Sequence, residues 1–231
     1  MNHPIISATI PPDMGIEGGF GGILRCRDHF RNPEFSQQEL DILFRNQGGH
    51  GEPILIDPPP QTFNELLEAD EGTARLLQLA CVFTNRGRSL SLIGGLAVAA
   101  YTGRVYRCHD DLDFCGPRDW FESPQTRDPG MQQLTNSIYR VMVKNPQPEQ
   151  KPPQFQVDLF VYDGNGFPYD FGGDDKGHIP IGLLYPLQTV TRSLYGLPLR
   201  VAPLFLVAGL KSMDSRPKGR LDYQMLAAEI L

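Results

Sequence analysis

The chain has 231 residues, 40% of them hydrophobic and 21% charged, which is enough apolar side chain to bury a core. Its 27 acidic residues outnumber its 21 basic ones, and a formal net charge of −6 argues against a surface built mainly to grip nucleic acid. No apolar run approaches the roughly 20 residues of a membrane span. The start, MNHPIISATIPP, lacks the basic and apolar regions of a signal peptide, so a cytoplasmic protein is expected. Cys26, Cys81, Cys108 and Cys115 have no paired metal spacing and read as reduced thiols. Cys108, His109 and Cys115 lack an evident fourth zinc ligand.

Residues 1–60 are rich in Pro and Gly and form an N-terminal extension of open purpose. The glycines from Gly15 to Gly22 follow no clear strand and precede no Lys-Ser/Thr, so they read as connection rather than a phosphate loop. Ser36 and Glu39 have capping-box spacing and predict a short helix. Thr62 and Glu65 repeat that signature, and apolar residues at helical spacing predict one helix from there to about Thr84. Leu90 to Ile93 predicts a strand. Gly94-Gly95 then turns the chain into a helix of small residues around Leu96 to Ala100.

The segment Ser91 to Gly116 organises the whole chain. Asp111-Leu112-Asp113-Phe114 alternates with period two, which places both carboxylates on one face of a strand. Two carboxylates held that close repel each other unless a cation intervenes. Oxygen-only donors suit Mg²⁺, which takes much of its shell from water and substrate phosphates. Without a Cβ, Gly94 and Gly95 let a phosphate approach the backbone, and amides at the following helix start would face it. Arg104 and Arg107 lie between the turn and the acids, where they would fix the loop or touch a triphosphate. Asp110 would face away from its two neighbours.

Beyond Gly116, a loop leads to Asp128-Pro129. Met131, Leu134, Ile138, Val141 and Met142 then predict the buried stripe of a helix. Phe155 to Tyr162 reads as a strand with Val157, Leu159 and Val161 on one face and Asp158 on the other. A lone acid in so apolar a strand needs a metal or a basic partner, and an arginine salt bridge is the alternative to metal ligation. Residues 163–202 read as turns and short strands, including Thr189 to Leu194 and Leu197 to Val201 around Tyr195-Gly196. A helix over Leu204 to Met213 and a last one from Gly219 complete the chain, with Lys211, Arg216 and Lys218 at their junction.

These motifs resemble the nucleotidyltransferase superfamily that includes DNA polymerase β. They are most similar to the antibiotic (aminoglycoside and lincosamide) nucleotidyltransferases and related small nucleotidyltransferases. The resemblance rests on Gly94-Gly95, Gly103-Arg104, Arg107, Asp111, Asp113 and Asp158, then Lys211, Arg216, Lys218 and Asp222, and covers roughly residues 60–231. It implies an α/β (α+β) fold, with a small mixed sheet, flanking helices and a helical C-terminal end. Residues 61–202 would form the core and 203–231 the helical end.

The activity implied is transfer of an NMP, AMP first among them, from an NTP to an acceptor hydroxyl. One or two Mg²⁺ ions would sit on Asp111, Asp113 and Asp158, with Asp158 as ligand, general base or both. Gly94, Gly95, Arg104, Arg107, Lys211 and Lys218 would bind the nucleotide, ATP being the expected one. The acceptor expected is a small cationic molecule, because acids dominate and acidic loops lie at Glu122, Asp128, Asp170, Asp174 and Asp175. Modification of tRNA or protein, or nucleotide binding without turnover, are the alternatives.

Overall fold

The computed structural model describes residues 52–86, 90–119, 131–134, 138–144, 154–162, 167–170, 176–179, 189–214 and 216–230. The expectations for residues 1–51, including the short helix near Ser36, lie outside them, as do Glu122, Asp128, Asp174 and Asp175.

The expected long helix is two. Helix α1 covers Phe63–Ala69 and α2 covers Glu71–Arg86. Thr62 caps α1 through Glu65 N, as its spacing predicts. The break comes at Asp70, which is extended and whose carboxylate accepts from the backbone N–H and hydroxyl of Thr73. Asp70 thus caps α2, a local preference of Asp that outweighs the continuous apolar stripe. Thr73 also accepts from His109 N at 2.7 Å, so this cap ties α2 to the segment that enters the central strand.

Strand β1 (Ser91–Ile93) leads directly into α3 (Gly94–Thr102). Strand β2 is Asp111–Pro117, β3 is Gln132–Gln133, β4 is Ile138–Lys144 and β5 is Gln154–Tyr162. The helix expected over Met131 to Met142 is therefore wrong: β3 and β4 are strands. Ile138-Tyr139-Arg140-Val141-Met142-Val143 is rich in β-branched and aromatic residues. Pairing with β5 buries alternate residues, Tyr139 opposite Leu159 and Val141 opposite Val157, so period two wins over 3.6.

A separate two-stranded ribbon joins β6 (Phe167–Asp170) to β7 (Lys176–Ile179), which puts Asp170 at a strand end rather than in a loop. Strands β8 (Val190–Leu194) and β9 (Leu197–Val201) form the hairpin read around Tyr195-Gly196. Helices α4 (Leu204–Met213) and α5 (Pro217–Ile230) close the chain. Helix α5 opens at Pro217, two residues before the expected Gly219, because proline suits a first turn.

The main sheet is mixed and seven-stranded, in the order β3-β4-β5-β2-β1-β9-β8. Strand β2 is at its centre, antiparallel to β1 and parallel to β5. Leu112, Phe114, Val157 and Leu159 fill one side of these strands, and Phe83 of α2 stacks on Phe114 at 5.4 Å. Helices α3, α4 and α5 pack on one another and bring the C-terminal cations to the start of α3. Among the described residues no helix is long and apolar enough to cross a membrane.

Candidate functional site

The site is built on the centre of the sheet. Asp111 and Asp113 share the face of β2 opposite Leu112 and Phe114. Asp158 on β5 is the register partner of Asp113, so the sheet places the three carboxylates side by side. All three line one cleft, together with Gly95, Arg107, Lys211, Arg216 and Lys218. Burial, and then the neighbouring Asp111, pushes the Asp113 carboxyl up to about 8. That is the response of a carboxyl withdrawn from water beside a second carboxylate.

The Gly-Gly turn is shaped around this pair. Gly94 has φ 71°, and a Cβ there would overlap the Asp113 carboxylate. A Cβ on Gly95 would overlap the Arg107 guanidinium and the His109 ring. Helix α3 starts at this point with no side-chain cap.

Behind the cleft, two buried aspartates from the C-terminal helices organise its cations. Asp222 on α5 is fully buried and accepts from Arg107 Nε at 2.8 Å and Nη2 at 2.9 Å. It also accepts from Tyr106 Oη at 2.9 Å and Lys211 Nζ at 2.7 Å. Burial alone would raise its carboxyl, but Lys211 and Arg107 outweigh burial and hold it far below the carboxylate range. Asp214, just past α4, accepts from Arg216 Nε and Nη2, both at 2.8 Å, and has Lys211 Nζ at 4.0 Å. Burial would raise Asp214 as well, yet Arg216 and Lys211 lower it. His109, buried beside these cations, is held well below its ordinary value by burial first and Arg107 second.

Lys218 Nζ lies 3.7 Å from Asp111 and 3.8 Å from Asp110, whose side chain is exposed. Asp158 is 4% exposed and receives Arg140 Nε at 2.7 Å and Nη2 at 2.8 Å, with Gln156 Nε2 at 3.1 Å. The arginine salt bridge weighed for this acid is thus present, and on its other side the sheet register sets Asp113 beside it. Among the described residues, no three His, Cys, Asp or Glu side chains stand as a ready metal cage. Cys108, His109 and Cys115 form none either.

The structure thus gathers Gly95, Arg107, Asp111, Asp113, Asp158, Lys211 and Lys218 into one cleft, with Gly94 packed against Asp113. Arg104 does not line it and lies instead near Tyr195. Sequence reasoning passes over Asp214, Arg140 and Tyr106. For Asp214 a signal exists, a Lys-x-x-Asp spacing at a helix end; for Arg140 it is a cation set inside an apolar run, between Tyr139 and Val141.

No family model matches the chain, and no curated protein matches it. Among solved structures it is similar to the aminoglycoside nucleotidyltransferase ANT(2″)-Ia in complex with adenylyl-2″-tobramycin. The two are 14% identical, and the match covers 67% of this chain and 88% of that one at a TM-score of 0.40. So distant a likeness lends no weight to the chemistry below, which rests on the cleft itself.

Proposed function

We propose that the protein is a nucleotidyltransferase that moves an NMP, AMP first among candidates, from an NTP to an acceptor hydroxyl. The observation that carries this reading is the register of the sheet, which aligns Asp158 with Asp113 beside Asp111 in a cleft otherwise lined by cations. The donors suit magnesium, since all are carboxylate oxygens and two of them already crowd each other. Bound by Asp111, Asp113 and Asp158, magnesium would offset charge on the triphosphate and on departing pyrophosphate.

The chain's own groups do the rest. Gly94 and Gly95 admit the phosphates close to the backbone at the α3 N-terminus. Lys211, Arg216 and Lys218 hold the triphosphate by charge-assisted hydrogen bonds. Asp222 and Asp214 fix the positions of Lys211, Arg107 and Arg216, so that little side-chain ordering remains to be done when substrate arrives. In the reaction the acceptor oxygen bonds to the α-phosphorus, the bond from that phosphorus to pyrophosphate breaks, and the hydroxyl proton passes to a carboxylate of the cleft.

A second cavity of about 190 Å³ adjoins the cleft and shares Arg107 and Lys218 with it. Glu52, Asp110, Ile54 and Pro53 also line it. We place the acceptor there, because carboxylates beside an apolar wall suit a small molecule that carries amines. A polynucleotide would need open cations for its phosphates. On this reading the cations of the cleft, Lys211, Arg216 and Lys218, are claimed by the triphosphate.

The test is incubation with each labelled NTP, Mg²⁺ and a cell extract, with aminoglycosides, lincosamides and total tRNA offered in parallel. Label on a small cationic acceptor is expected. Label on tRNA alone, lost on raising salt, would move the assignment to RNA modification. NTP binding with no labelled product in any arm would leave a nucleotide-binding protein.

A further inference from the structure

The third carboxylate has two claimants. Asp158 stands on β5 between β2, which carries Asp113, and β4, which carries Arg140, and it is in register with both. Its two oxygens are both taken from the β4 side, by the fork of Arg140 at 2.7 and 2.8 Å, and Gln156 adds a donor at 3.1 Å. Arg140 does not line the cleft, whereas Asp158 does. Although Asp113 and Asp158 are register partners, no three carboxylates of the cleft converge as a metal cage. The backbone has assembled the three acids, and the third of them is gripped through both oxygens by a guanidinium.

We propose that Arg140 is a positioning residue that holds Asp158 out of the cation site at rest, and that a divalent cation must draw one carboxylate oxygen away from it. This rests on the reading of Asp111, Asp113 and Asp158 as the metal-binding carboxylates. The pairing suits such an exchange. Arg140 remains about a quarter exposed while Asp158 is nearly buried, so the released guanidinium has water to turn to and the carboxylate does not. A bidentate fork can yield one oxygen and keep the other, so Asp158 is never left without a counter-charge. The arginine therefore sets how much of the cation's binding energy goes into organising the site. It also offsets the charge of the buried Asp158 beside the half-buried Asp111 and Asp113 before substrate arrives.

Mn²⁺ serves as the probe, with free ion counted by electron paramagnetic resonance and no nucleotide present. The proteins are wild type, Arg140→Gln, Arg140→Lys, the double variant Arg140→Gln/Asp158→Asn, and Asp111→Asn. Arg140→Gln is expected to bind Mn²⁺ about fivefold or more tighter, the scale of one partly exposed ion pair removed from competition. Arg140→Lys keeps the charge without the fork and should fall between it and wild type. The gain should vanish in the double variant. Tighter binding in Arg140→Gln where wild type shows none supports the proposal equally. If Arg140→Gln does not fold, Arg140→Lys decides by the same criterion.

Unchanged or weaker binding in the Arg140 variants, with wild-type binding still lost in Asp111→Asn, would overturn the proposal and leave the metal-site reading intact. No Mn²⁺ bound by any of the proteins would overturn both.

Discussion

Asp222 offers the sharpest test of how the cleft is held. It is fully buried and is the shared acceptor of Arg107, Lys211 and Tyr106. Asp222→Asn keeps the volume but removes the charge, leaving two cations, each less than 10% exposed, without their principal counter-ion. Breaking a buried pair from one side costs about 3–5 kcal/mol, because the remaining charge stays desolvated. Lys211 keeps Asp214 at 4.0 Å and Arg107 keeps the Cys108 carbonyl at 3.0 Å, which places the expectation at the lower end, about 3 kcal/mol. For a chain of this size that is a fall in Tm of about 10 °C.

The effect must also depend on pH. The folded carboxyl of Asp222 is held far below its ordinary value, while in the unfolded chain it titrates near 4. Its contribution is thus complete above about pH 4–5 and declines below that by roughly 1.4 kcal/mol per pH unit, until the folded group protonates. Urea unfolding of wild type and variant from pH 7 to pH 3 measures both quantities. A difference below about 1 kcal/mol at pH 7, or one that does not shrink between pH 4 and pH 3, would refute the reasoning.

Asp113→Asn should abolish transfer while raising the stability of the ligand-free protein near pH 8. Its raised carboxyl contributes stability at pH 4 that is lost as pH rises through about 8, so the variant's stability should be flatter over that window by urea unfolding. Gly94→Ala should cost about 1–2 kcal/mol from the positive φ alone, with more from overlap with Asp113, and should lose NTP binding by calorimetry. Lys211→Ala should raise KM for NTP more than it lowers kcat, since triphosphate contacts are shared by ground and transition states; an unchanged KM would reduce Lys211 to a structural partner of Asp222.

Features that depend on near neighbours in the chain are legible in the residues themselves. The alternation of Asp111, Leu112, Asp113 and Phe114 reports its own strand, and the fold keeps both faces as the alternation assigns them. The helix over Leu204 to Met213 and the turn at Tyr195-Gly196 likewise follow from local period and turn chemistry. Where two local signals compete, the pattern misleads. At Asp70 an N-cap overrides an apolar stripe that continues through it. Over Ile138 to Lys144 the residues satisfy either period, and only the neighbouring strand β5 decides between them.

The order of residues is enough to say which carboxylates share a face on β2, that Asp158 is alone in its strand and needs a partner, and that a Gly-Gly turn lies just upstream. Who the partners are is a matter of packing. Parallel pairing of β2 with β5 sets Asp158 beside Asp113, 45 residues away in number, and antiparallel pairing with β4 sets Arg140 on its other side. Packing of α5 brings Asp222 to Arg107 and Tyr106 across separations of 115 and 116 residues. The reason is physical: periodicity constrains which way a side chain points from its own element, but a buried charge is satisfied by whatever element the fold packs against it.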